Sequence, residues 1–188
     1  MNPADFHVCE RRYRLRGTLR AVTALRIGAG GTGAVDISDL AVLRDGRGVP
    51  YLPGSSIKGV IRATIESLLR GVDDRATGLW ACDPLSRDSA CGEHGTGDRS
   101  SVDHDAHCAA CRLFGSHVLA SHVRFSDARI SDDSSDVTVT VRDGVGIDRD
   151  LRTASNRAKY DFEVIDAGAT FDLEVFVDAF EQVFGARL

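Results

Sequence analysis

Cys82, Cys91, Cys108 and Cys111 lie close together in the chain, and the last two form a Cys-Ala-Ala-Cys pair. Such a pair grips one tetrahedral ion, and two further thiolates complete a closed structural zinc site. Four sulfur ligands leave no position for a reactive water, so the expected ion is structural. His94, His104 and His107 are alternative ligands. A redox pair at Cys108 and Cys111, or inert thiols, are the competing readings. Cys9 stands apart from the cluster. Residues 76–116 are rich in Gly, Asp, Ser, His and Cys and show little periodicity. Such a segment cannot build an apolar core, and zinc binding would supply its folding free energy.

A second stretch, Tyr51-Leu-Pro-Gly-Ser-Ser-Ile-Lys-Gly-Val-Ile-Arg62, reads as a strand end, a Pro-Gly turn and a helix start. Gly54 would let backbone approach a ligand closely. Ser55 or Ser56 would cap the helix. Helix N-termini attract phosphate, and Lys58 and Arg62, four apart, share one face. The set suits a phosphodiester chain, and an ordinary capped helix with a solvated basic face is the alternative.

Asp36 and Asp39 lie between a glycine-rich loop and that turn. A carboxylate near a scissile phosphate can hold Mg²⁺ or Mn²⁺, which stabilises developing charge. With RNA the nucleophile would be the substrate's own 2′-OH. Plain turn aspartates are the competing reading. Further on, Ile147–Lys159 carries Arg149, Arg152, Arg157 and Lys159, which could contact phosphates, while apolar residues could wedge between bases. A solvated loop of mixed charge competes, given Asp148 and Asp150.

The elements that must position these groups read as follows. Tyr13–Gly28 alternates as a half-buried strand, with Tyr13, Leu15, Leu19 and Val22 facing a core and arginines opposite. Ala41-Val-Leu43 is a short strand. Ser56–Arg70 is an amphipathic helix with Ile57, Val60, Ile61, Ile65 and Leu68 on its buried face, stopped at Gly71. His122–Ile130, Val137–Val141, Phe162–Ile165 and Thr170–Val177 read as strands, and Asp143–Lys159 as a long exposed loop or hairpin. The pattern is α+β: an antiparallel sheet with helices and one insert.

The chain has 188 residues and a net charge of −5, which fits one domain with an inserted module. The charge is uneven: +4 over residues 1–80, −5 over 81–140 and −4 over 141–188. Positive charge therefore accompanies the Gly-Ser-Ser turn, and local charge sets binding to phosphates. The acidic total argues against tight nonspecific binding to naked duplex and favours a shape-specific or assembly-dependent site. No apolar run spans a membrane and no secretory signal opens the chain, so clustered cysteines point to metal in a reducing compartment, the cytoplasm.

Taken in order, these segments resemble a known family. Leu25-Arg-Ile-Gly28 leads into a Gly-rich loop with aspartates and then Ala41-Val-Leu-Arg-Asp45. Val49-Pro-Tyr-Leu-Pro-Gly-Ser-Ser-Ile-Lys-Gly59, Cys111-Arg-Leu-Phe-Gly-Ser116 and Gly146-Ile-Asp-Arg149 running to Phe162-Glu-Val-Ile165 follow. The chain resembles the RAMP superfamily, specifically the repeated backbone subunit of type III CRISPR–Cas effector complexes, over most of residues 13–177. The cysteine-rich insert suggests the zinc-module branch, type III-D/E-like.

The resemblance implies a ferredoxin-like (RRM-like) antiparallel sheet with helices, a zinc-binding insert at 76–116 and a thumb-like hairpin at 142–161. Residues 1–75 and 117–188 would form the two parts of the core. It implies a subunit that stacks with copies of itself and other RAMP subunits along CRISPR RNA. Gly54, Ser55, Ser56, Lys58 and Arg62 would hold the guide backbone. The Ile147–Lys159 loop would kink the guide–target duplex. One loop aspartate, Asp39 or Asp36, would support metal-dependent cleavage of bound target RNA; a purely structural guide-binding subunit is the alternative. The family's usual later helix and Gly/Arg-rich loop before a last strand do not follow Phe184-Gly-Ala-Arg-Leu188. Completion by another chain, a longer parent sequence or a variant fold would account for this.

Overall fold

A computed structural model describes residues 9–28, 40–86, 89–92, 106–132 and 137–180. The elements are β1 (Cys9–Arg20), β2 (Tyr51–Leu52), α1 (Gly54–Val72), α2 (Ala109–Phe114), β3 (Val123–Phe125), β4 (Ala128–Ile130), β5 (Val139–Ile147), β6 (Ala154–Ile165) and β7 (Thr170–Phe180). One sheet runs β1-β7-β4-β2, with β3 also on β7; β5 and β6 form a separate hairpin. The α+β class with antiparallel pairing is as expected. No described helix is long and apolar enough to cross a membrane.

The chain divides into two compact units. Among described residues, the first takes 9–15, the described parts of 54–126, and 174–180. In it, Val123, Arg124 and Phe125 pair antiparallel with Val177, Phe176 and Val175. Val123 and Val175 are buried there with Phe114 and Leu119. A smaller cluster gathers Cys82, Cys108, Ala110 and Cys111, with Leu69 and Trp80 packed against it. The described part of the cysteine-rich segment thus shares a unit with α1.

The second unit takes 16–28, 40–53, the described parts of 127–173. Here Tyr51 and Leu52 pair with Arg129 and Ala128, while Arg129 and Ile130 pair with Asp172 and Phe171. Its interior holds Val42, Ala128, Val164, Ile165 and Phe171, the last fully buried. Burying a phenylalanine contributes about 2–3 kcal/mol. The β5–β6 hairpin runs in register from Val139↔Ile165 to Val145↔Lys159, then shifts at a bulge before Ile147↔Ala154.

Several sequence expectations shift. The strand expected over Tyr13–Gly28 ends at Arg20. Its supposed core face is mostly open: Tyr13, Leu15 and Val22 are 48%, 56% and 87% exposed, and Leu19 is half-buried. β1 lies at the sheet edge, and its arginine face is the partnered one. Arg12 bonds Asp178 on β7, and Arg14 bonds Glu174. Opposite charges on neighbouring strands hold that face together.

The helix begins earlier and ends later than expected, and its buried stripe differs. Val60 and Leu68 are 69% and 67% exposed, whereas Gly54 and Glu66 are buried. Lys58, Arg62 and Glu66 follow at four-residue spacing and turn inward, because each finds a polar partner there. Ile57, Ile61 and Ile65 are half-buried. The strand expected at 41–43 reduces to isolated bridges. The strand expected over His122–Ile130 breaks at Ser126–Asp127 into β3 and β4.

Candidate metal centre and nucleic-acid surface

The four cysteines come together from three places. Cys82 follows Trp80, and Cys91 sits beside Gly92, whose φ of +88° lets the chain turn where a side chain would strain. Cys108 is the N-cap of α2, and Cys111 lies in its first turn. Cys82, Cys108 and Cys111 are buried, and Cys91 is partly so. All four sulfurs lie within 4.8 Å of one another, and Cys82 Sγ is 3.6 Å from Cys111 Sγ. Bonds of about 2.3 Å to a tetrahedral zinc put sulfurs roughly 3.8 Å apart, so the donors fit such an ion. His107 is not in this group; its Nε2 lies 3.0 Å from Ser116 Oγ. His94 and His104 lie outside the described residues.

The surroundings suit a metal ion. The Cys108 amide donates to Cys91 Sγ at 3.3 Å, and the Cys111 amide to Cys108 Sγ at 3.4 Å. The Cys111 hydrogen bond draws the Cys108 thiol down to about 4. Burial pushes Cys91 up to about 12. Cys111 is pushed upward by its bond to Cys108 and by burial. Four thiols this close cannot all ionise by themselves; a divalent cation reverses that by supplying the opposing charge. A cavity of about 440 Å³ adjoins the cluster, lined by Arg62, Cys91, Phe114, Ser116 and Ser121 among others.

The Gly-Ser-Ser turn is built differently from the expected cap. α1 starts at Gly54, so Ser55 and Ser56 lie inside its first turn; Ser55 is exposed and Ser56 half-buried. Gly54 is required by packing: a Cβ there would sit 2.2 Å from the Phe125 carbonyl oxygen of β3. Lys58 and Arg62 share one face, as their spacing predicts. Lys58 Nζ donates to Ser121 Oγ at 2.8 Å. Burial and the neighbouring Arg62 lower the Lys58 ammonium below its ordinary value. The Arg62 guanidinium donates to Glu66 Oε1 at 2.7 Å and to the Gly115 carbonyl at 3.1 Å.

The hairpin tip is open. Asp148 Oδ1 accepts from the amides of Asp150 and Leu151, both at 2.9 Å, which closes the turn. Arg152 follows with a φ of +54°. Arg149 and Arg152 are exposed, beside Ile147 and Leu151 at 64% and 74% exposure. The Arg157 side chain lies outside the described set.

Asp36 and Asp39 lie outside the described residues, but the chain on either side, up to Gly28 and from Leu40, is described. Gly28 bridges Val42, and the Leu43 amide donates to the Ile27 carbonyl at 2.8 Å. Leu40 bridges Phe162 in parallel, and its carbonyl accepts from the Glu163 amide at 3.0 Å and from Arg26 Nε at 3.3 Å. Buried Glu163 accepts from the Val42 amide at 3.0 Å and from Arg44 Nη2 at 3.1 Å. Sequence reasoning missed Glu163, Arg44 and Arg26. The one available signal was an acid set between apolar residues in Phe162-Glu-Val-Ile165.

The RAMP superfamily model matches residues 18–186. The chain belongs to the RAMP superfamily. No curated protein matches it. This RAMP chain is similar in fold to a chain in the cryo-EM structure of the type III-B Cmr-beta complex bound to cognate target RNA. The TM-score is 0.55 at 16% identity, over 88% of this chain and 46% of the other. It therefore spans about half the length of the solved chain it resembles.

Proposed function

We propose that this chain is a CRISPR RNA-binding backbone subunit of a type III effector complex, in the zinc-module branch. In this reading it holds guide RNA and cleaves bound target RNA at regular intervals. Membership of the RAMP superfamily, joined to the exposed basic and apolar hairpin tip, carries the reading. Arg149 and Arg152 would contact phosphates, and Ile147 and Leu151 would press against bases. Ser55 and Ser56, in the first turn of α1, would bind guide backbone.

Cleavage would use the loop carrying Asp36 and Asp39. The target's 2′-oxygen attacks the adjacent phosphorus and loses its proton to a carboxylate. The bond to the departing 5′-oxygen breaks and that oxygen takes a proton from water, leaving a 2′,3′-cyclic phosphate and a 5′-hydroxyl. Mg²⁺ or Mn²⁺ would supply charge stabilisation when bound. The test is cleavage of labelled target RNA by the guide-loaded complex, with Mg²⁺ and with EDTA, for wild type, Asp36→Ala and Asp39→Ala. Evenly spaced products lost with EDTA and in one variant support the enzyme. Tight target binding without products identifies a structural subunit.

A further inference from the structure

A zinc ion held by four thiolates leaves two net negative charges at a site where Cys108 and Cys111 are 0% and 2% exposed. Burying charge is costly unless donors and an opposite charge accompany it. Two backbone amides already point at sulfur. The third donor is a side chain: Arg62 Nη2 lies 3.7 Å from Cys111 Sγ. The same guanidinium donates through Nη1 to Gly115, the C-cap of α2, at 3.1 Å. Its Nε donates to Glu66 Oε1 at 2.7 Å. Glu66 is 7% exposed, and its other oxygen accepts from Arg70 Nη2 at 3.2 Å. Glu66 therefore orients Arg62, and Arg62 reaches from α1 to a metal ligand and to the end of the helix that carries it. All three guanidinium nitrogens are engaged in this way.

We propose that Arg62 is a positioning residue of the metal centre and not an RNA contact. It compensates the Cys111 thiolate, raises the affinity for the ion, and makes metal occupancy tighten α1 against α2. Partners that hydrogen-bond a metal ligand typically change metal affinity 10–100-fold when removed. Lysine keeps the charge but lacks the planar fork that reaches sulfur, carbonyl and carboxylate together. The inference stands independently of the RNA reading.

The experiment uses the full chain loaded with Zn²⁺ in competition with a chromophoric chelator, and the Co²⁺-substituted form for its thiolate charge-transfer bands. Arg62→Met should bind Zn²⁺ about 10–100-fold more weakly, with shifted cobalt bands, and Arg62→Lys should fall between it and wild type. Arg70→Met, which touches Glu66 but no sulfur, should stay within about threefold of wild type. Should Arg62→Met not fold, the comparison of Arg62→Lys with Arg70→Met decides alone: equal affinities overturn the proposal. Wild-type affinity and cobalt bands in folded Arg62→Met also overturn it. So does an unchanged affinity accompanied by an RNA-binding salt slope smaller by about one, which would mark a phosphate contact.

Discussion

The Glu163 carboxylate lies 3.1 Å from the Arg44 guanidinium and also accepts the Val42 amide, so one buried acid on β6 holds the segment Val42–Arg44 in place. Without it, a backbone donor and a cation both lose their acceptor. Arg44 is a third exposed, so water screens part of that loss. Glu163→Ala should destabilise the chain by about 2–3 kcal/mol, and Glu163→Gln by less. Urea unfolding measures both; an unchanged midpoint for Glu163→Ala would show the pair to be dispensable.

Trp80 is the one tryptophan of the chain, packs on the cysteine cluster and carries Arg75 4.2 Å above its ring. Removing the ion with a strong chelator should redden its emission and lower Tm by several degrees, as should Cys111→Ser. Acid should act in the same direction, since protons compete with metal for thiolate. An emission spectrum indifferent to chelator would contradict a structural ion.

Asp178 bonds the Arg12 guanidinium, which holds its carboxyl below the ordinary value of 3.8. A carboxyl lowered by folding stabilises the fold above its unfolded pKa, and that contribution is lost as pH falls through the lowered value. Asp178→Asn should therefore cost stability at neutral pH and flatten the acid limb below about pH 4. A wild-type slope in the variant's stability against pH would count against this.

At Gly54 the space for a side chain is already taken by the Phe125 carbonyl. Gly54→Ala should cost about 2 kcal/mol or more through backbone displacement. Thermal unfolding reads this directly. A variant as stable as wild type would mean that α1 can move off β3 freely.

Arg149 and Arg152 are exposed at the hairpin tip, so Arg149→Ala should leave Tm unchanged and lower the slope of log affinity for RNA against log salt by about one. Arg152 has a positive φ, whose cost its own Cβ already bears, so its alanine variant should behave similarly. Unchanged RNA affinity in the double variant would remove the tip from the binding surface.

The sequence made the cysteine set, the hairpin, the helix α1 and the strand β7 legible. Each rests on local pattern: ligand spacing, alternation between turn signals, and 3.6-residue periodicity. What it hid depended on partners distant in the chain. Alternation in β1 showed a strand but not which face its neighbour would cover, and ion pairs to Asp178 and Glu174 covered the arginine side. Hydrophobicity placed Val60 and Leu68 inside α1's buried stripe. Instead, Lys58, Arg62 and Glu66 turn inward because Ser121, Gly115 and each other satisfy them. The glycine of the Pro-Gly-Ser-Ser turn signals a close approach of backbone, and the Phe125 carbonyl makes one.

β7 has an implication for how the protein is made. It pairs with β3 and with β4, and β1 lies along it, yet it is the last of these strands to be synthesised. A nascent chain exposes β1, β3 and β4 without their common neighbour until residues 170–180 emerge. All four cysteines precede that point, so a metal ion could gather them during translation while the pairings to β7 must wait. Ribosome-stalled chains ending before Thr170 should then capture Zn²⁺ yet remain open to protease along β1 and β4, and protection appearing before β7 is made would refute that order.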